Sequence, residues 1–251
     1  MRLAGRLWTS SFYWLFTALI YTRRRMQEQR WMRWTAAGLS AGLLELPFPL
    51  AGPMPPGRSI VAWFGLVPLI WAVARTSEDA ERPLRRSFLV AYLCGFLWYM
   101  GNCYWVRDTM SRYGDMPALA PVLLLIAFSL VLGLYFGLFG LGIAVVRRRF
   151  GVGWALAAAP FLWVALELAA ARITSVPWDQ LGYSQVDNSR LTYLAPWTGV
   201  YGISFVIVAV NAAWLVALIG LLGFGERSLR GTLQTVGLCL GVGVLAGGCF
   251  S

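Results

Sequence analysis

Two carboxylates, Glu45 and Glu167, stand inside long apolar runs. A charged side chain at membrane depth is costly, so such a residue marks either a functional site or a hydrogen-bonded joint between helices. Arg172 follows Glu167 by five residues, which misses the three- or four-residue step at which helical side chains meet. The structural and the functional reading of Glu167 therefore both stay open. Asn102 and Asn211, also set in apolar surroundings, read as bridges between helices.

Other chemistry is excluded by residue type. The chain has no histidine and no lysine; all 21 basic residues are arginine. Ser-His-Asp and Cys-His systems are therefore impossible, and no Gly-rich phosphate loop follows a strand. The cysteines Cys94, Cys103, Cys239 and Cys249 form no CxxC pair, and without histidine a zinc site is not expected. Cys94 and Cys103, nine residues apart, would point to opposite sides of one helix and read as small apolar core thiols. No catalytic residue, metal or cofactor is expected on these grounds. The segments richest in polar chemistry are 107–117 (RDTMSRYGDMP) and 174–191 (TSVPWDQLGYSQVDNSRL). Such a mixture of Trp, Tyr, Gln and Asp can hold a lipid headgroup or dock a polar domain. The alternative is an ordinary aromatic belt with helix caps.

The elements that position these segments are apolar helices. Hydrophobic residues make up 59% of the 251 and charged residues 13%, with a mean hydropathy of +0.64. Soluble domains carry about 25% charged residues, so the polar surface here is too small to coat a globule, and the chain reads as an all-α integral membrane protein. Seven segments reach spanning length: 31–51, 58–75, 86–107, 118–146, 153–173, 192–220 and 231–250. Residues 1–30 form a separate basic segment. Its aromatic stretch from Leu7 to Tyr21, followed by Arg23, Arg24 and Arg25, predicts an interfacial helix better than an eighth span. Gly133 and Gly137 lie at the GxxxG spacing that lets helices pack closely.

Net charge is +10. The arginines form short clusters between apolar runs, which is a membrane-orientation pattern and not a nucleic-acid-binding face. Sixteen of the 21 cluster at or before the start of the first span or at the connections after the second, fourth and sixth. The remaining five are Arg58, Arg107, Arg112, Arg172 and Arg190. The positive-inside rule puts the N-terminus in the cytoplasm and, after seven crossings, Ser251 on the outer face. Loops 107–117 and 174–191 then face outward.

Three strings carry a resemblance. Pro160-Phe-Leu-Trp163-Val-Ala-Leu-Glu167 is followed by Pro177-Trp178-x-Gln180-Leu-Gly182-Tyr183-Ser184-Gln185, then by Leu194-Ala195-Pro196-x-x-Gly199-Val-x-Gly202-Ile-x-Phe205. Upstream stand Gly95-Phe96, Gly101-Asn102-x-x-Trp105-Val106 and Gly114-Asp-Met116-Pro117. In order and spacing these closely resemble the apolipoprotein N-acyltransferases over roughly residues 35 to 250. Two positions depart from that pattern: Ala170 stands where the family usually has arginine, with Arg172 later, and Val176 stands where phenylalanine is common.

The resemblance implies a membrane domain in the bacterial inner membrane that serves lipoprotein maturation. Its partners would be a phospholipid acyl donor, a diacylglyceryl-modified apolipoprotein and a nitrilase-like catalytic domain bearing a Glu-Lys-Cys triad. That triad needs a lysine that this chain lacks. The expectation is a membrane half, 31–251, with the nitrilase-like domain belonging after 251 and no acyl transfer by the chain alone. Trp178, Gln180, Tyr183 and Gln185 are expected to line an outer-face lateral opening, with Trp105 and Asn102 opposite and Glu167 nearby. The alternative is a non-enzymatic membrane module from the same family, a transporter or lipid-binding scaffold. A transporter would be expected to carry inverted repeats and interrupted helices with polar residues near the midplane.

Overall fold

A computed structural model describes residues 31–48, 57–77, 81–114, 116–117 and 119–221. The expected seventh span, the N-terminal segment 1–30, Cys239 and Cys249 lie outside them. The described residues form an all-α bundle. Helix α1 covers 31–45, and a 3-10 turn at Arg58–Trp63 leads into α2 at Val67–Thr76. Then come α3 (Pro83–Asn102), α4 (Tyr104–Tyr113), α5 (Ala120–Phe150) and α6 (Val152–Ile173). A 3-10 turn at Leu181–Gln185, a short α7 (Ser189–Thr192) and the long α8 (Ala195–Leu221) complete it.

Among the described residues, four segments are long and apolar enough to cross a membrane: Arg58–Thr76, Ala120–Phe150, Val152–Ile173 and Ala195–Ile219. Two of the expected seven fall short by that measure. Helix α1 is too short as described, and α3 is diluted by Arg85, Arg86 and Asn102. Helix α3 nevertheless lies deep in the bundle, with Val90, Ala91, Cys94 and Trp98 buried.

Close approach of α3 and α5 explains the glycines. A Cβ on Gly137 would sit 2.6 Å from the Phe88 ring, and one on Gly140 would sit 2.6 Å from the Ser87 carbonyl oxygen. The expected small-residue seam is thus the α3–α5 contact. Gly151 (φ 91°) allows the sharp reversal from α5 to α6, just after Arg147, Arg148 and Arg149. These arginines suit a helix C-terminus, where the carbonyl dipoles favour positive charge.

Two sequence boundaries need correction. The third span does not run on to residue 107: α3 ends at Asn102, Cys103 (φ −97°, ψ 17°) forms a joint, and α4 follows with no buried residue. Much of segment 107–117 is therefore helical rather than loop. The polar run from Arg107 to Arg112 explains the break, because it cannot remain at membrane depth.

The second span is interrupted at 64–66. Exposed backbone groups at that depth need internal partners, and two side chains supply them. Asn211 of α8 accepts from Leu66 N at 2.8 Å and donates to Ala62 O at 2.8 Å and Ile207 O at 2.9 Å. Ser40 of α1 donates to Gly65 O and accepts from Leu69 N at 3.3 Å. Asn211 is thus the bridge that the sequence suggested. Asn211→Leu orphans Leu66 N–H and part of the Ala62 carbonyl's bonding, at a cost on the order of 1–3 kcal/mol per buried group. The expected outcome is a clearly lowered unfolding midpoint in detergent; an unchanged midpoint contradicts this role.

Candidate functional site

The segment between α6 and α8 is built as a plug that caps one end of the bundle. Glu167, near the end of α6, receives it: Oε1 accepts from Leu181 N at 2.7 Å and from Trp163 Nε1 at 2.8 Å. Gly182 N donates to Ser204 Oγ of α8 at 2.9 Å, and Gln185 Nε2 donates to Ser59 O of the first 3-10 turn at 2.9 Å. Gly182 permits this seat, since a Cβ there would lie 2.5 Å from Val200 O. Gly199 breaks the start of α8 with φ 63° and ψ −169°, which turns the chain out of the plug and down into the bundle.

The expected residues divide between inside and outside. Gln180 (3% exposed) and Gln185 (1%) face inward. Trp105 (42%), Trp178 (39%) and Tyr183 (46%) sit at the surface. Trp105 of α4 and Trp178 of the plug meet edge-to-face with centroids 6.0 Å apart, and the Tyr183 hydroxyl donates to Pro177 O at 3.3 Å. Asn102 is buried, next to Asp179. The hydrogen bonds of Glu167 go to Trp163 and Leu181 rather than to Arg172.

One pair escaped the sequence reading. Cys103, treated there as a core thiol, donates its S–H to Asp179 Oδ2 at 3.0 Å. The residues are 76 apart, and the only local hint was the density of polar residues around Asp179. Asp179 and Ser175 both have positive φ, 66° and 55°, so the tertiary contacts hold the loop in a conformation that L-residues resist. Burial pushes the Asp179 carboxyl up to about 6, offset in part by the Cys103 thiol and the neighbouring Asn102 amide. That amide lies beside Asp179, yet its Nδ2 makes no hydrogen bond of good geometry, and the same holds for Gln180 Oε1 and Glu167 Oε2. Glu45, the other intramembrane carboxylate, packs against Gly101, where any Cβ would collide with it.

Below the plug lies a small, partly open cleft between α3, α5 and α6. Its wall is a stack of rings: Phe136 lies 5.3 Å from Trp98 and 5.0 Å from Trp163, centroid to centroid. Glu167 and Asp179 are its carboxylates. Because Asp179 ionises less readily when folded (3.8 rising to about 6), the folded state binds the extra proton. Its stability contribution is complete below about pH 4 and is lost as pH rises through about 6. The native chain should therefore lose thermal stability relative to Asp179→Asn between those values. A gap between the two proteins that stays constant with pH contradicts this.

The family description "Apolipoprotein N-acyltransferase N-terminal domain" matches residues 40–213. A relative named apolipoprotein N-acyltransferase from Geobacter metallireducens is 35% identical over 177 residues, covering 70% of this chain and 31% of its own length. Another from Chromobacterium violaceum is 34% identical over 182 residues, covering 72% of this chain and 34% of its own. The chain thus spans about a third of the length of these curated relatives. The match takes in α3, α5, α6, the plug and most of α8, so the chain belongs to the apolipoprotein N-acyltransferase N-terminal domain family.

Proposed function

We propose that this chain is the membrane part of an apolipoprotein N-acyltransferase of the bacterial inner membrane. It receives a phospholipid acyl donor and a diacylglyceryl-modified apolipoprotein at its outer face. A nitrilase-like domain supplies the catalytic Glu-Lys-Cys chemistry, in the same polypeptide or as a separate one. The observation that carries this reading is the plug: a polar, aromatic segment docked on α6 and α8 by buried hydrogen bonds, with Trp178, Trp105 and Tyr183 left at its surface. Aromatic side chains with polar tips suit a boundary between water and acyl chains. Trp178, Tyr183 and Trp105 line the lateral opening, while Gln180, Gln185, Asn102 and Glu167 hold its floor.

The non-enzymatic alternative gains little from the interrupted second span. Its freed backbone groups are satisfied by Asn211 and Ser40, so the break offers no vacant ion site.

Orientation follows from the arginines. Ser77 O accepts from Arg148 at one end of the bundle, and the Cys103–Asp179 contact lies at the other. The first end is cytoplasmic in this reading. Cysteines placed at exposed Ser111 and Ser189 should react with an impermeant thiol reagent in intact spheroplasts, in a background lacking the native cysteines. One at exposed Glu81 should react only after lysis. Labelling of Glu81→Cys in sealed spheroplasts would invert the topology.

Function is tested by joining a nitrilase-like domain after Ser251 and supplying phospholipid with a diacylglyceryl-peptide. The joined protein should N-acylate the peptide and the chain alone should not. Trp178→Ala should cut the rate by at least about tenfold, the scale of a lost positioning contact, while membrane insertion is unchanged. An unaltered rate would reduce Trp178 to a belt residue. A joined protein that folds and stays inactive counts against the reading as a whole.

A further inference from the structure

The cleft beneath the plug holds two buried carboxylates with no basic side chain in its lining. Buried carboxylates are normally paired or hydrogen-bonded to saturation, and here two share an aromatic-walled space that no arginine lines. Glu167 uses Oε1 for both of its hydrogen bonds, while Oε2 is sealed from solvent and has no partner in hydrogen-bonding geometry. The Ser204 hydroxyl stands close to Glu167, but it supplies no positive charge. Asp179 accepts from a thiol, a weak donor, beside the Asn102 amide. Neither carboxylate is ion-paired among the described residues. The position one helical turn on from Glu167, where a basic side chain could reach it, is Ala170, which also lines the cleft.

The walls narrow the kind of cation that would suit these carboxylates. No group of three or more Cys, Asp or Glu side chains gathers to hold a metal ion among the described residues. Tyr99, Phe136 and Trp163 offer rings instead, and ring faces attract organic cations through their quadrupole. An alkyl stem can lie along such rings while its charged head meets the carboxylates.

We infer that the cleft between α3, α5 and α6 is a binding site for an organic ammonium group, held by Glu167 and Asp179 against the rings of Tyr99, Phe136 and Trp163. Two sources carry that chemistry at a membrane surface: the headgroup of an ethanolamine phospholipid and the free N-terminal amine of a lipid-modified peptide. The choice of these two sources rests on the acyl-transfer reading above; the preference for ammonium does not.

The test uses the chain in nanodiscs of phosphatidylglycerol. Phosphatidylethanolamine and its N-acetyl derivative are added in one arm, and a diacylglyceryl-peptide with a free or an acetylated N-terminus in the other. Native mass spectrometry reads the retained ligand. In at least one arm the amine should be retained about tenfold or more over its acetylated form, a preference within reach of a desolvated cation on aromatic faces. The arm that shows it identifies the source. Asp179→Asn and Glu167→Gln should each reduce that preference several-fold. Both substitutions keep a side-chain carbonyl oxygen in place. In Glu167→Gln that oxygen still accepts from Leu181 N, and in Asp179→Asn it still accepts from the Cys103 thiol, so the plug stays seated in both variants. Equal retention of amine and amide in both arms, or a preference unchanged in both variants, overturns the inference. The assay reads binding without chemistry. Absence of the preference therefore leaves acyl transfer to be judged on its own test, and an inactive joined transferase leaves ammonium binding standing.

Discussion

Lipid offers no hydrogen bonds, and most of this structure follows from that constraint. An unbroken helix satisfies its own backbone, so α5 and α6 need only apolar surfaces and small residues where they approach their neighbours. At two places where the chain departs from a helix, buried side chains from other elements meet the freed groups. Asn211 and Ser40 do this at the break before α2. Glu167 and Ser204 do it where the plug enters the end of the bundle. Each such residue is polar because the backbone it serves is irregular.

The candidate site is a consequence of the same requirement. Glu167 is a joint first, holding Leu181 N and Trp163 with one oxygen. Its second oxygen is left over, in a cleft that Asp179 reaches only because the plug is held at positive φ. The structural and functional readings of this carboxylate are therefore compatible: one oxygen positions the plug, and the other is left facing the cleft. Cys103 shows the converse. A residue at the joint between two helices, it secures the loop through its thiol.

Family membership and the described geometry reinforce each other at the plug. The match covers the helices that build the cleft and the loop that covers it. Three solvent-facing aromatics at that end, Trp105, Trp178 and Tyr183, come from two separate segments brought together by the helix break at Cys103.

Much of this was legible in the sequence because it depends on composition and local spacing. Low charge density and long apolar runs dictate an all-α membrane bundle. Gly133, Gly137 and Gly140 announce a close helix seam before its partner is known. Arginine clusters divide the connections into two sets, and the plug's string of Trp, Gln, Gly and Tyr marks it as unusual. Tertiary structure decided the rest. Periodicity could not reveal that the second span breaks at 64–66, because residues from α1 and α8 make that break tolerable. Nor could it end α3 at Asn102, where the apolar run alone continues to Val106. The Cys103–Asp179 pair joins residues 76 apart, and the burial of Gln180 and Gln185 depends on which way the plug seats. The physical reason is the same in each case. Residue type determines what a side chain can bond to, but a buried polar group takes its partner from whichever element packing brings within about 3 Å.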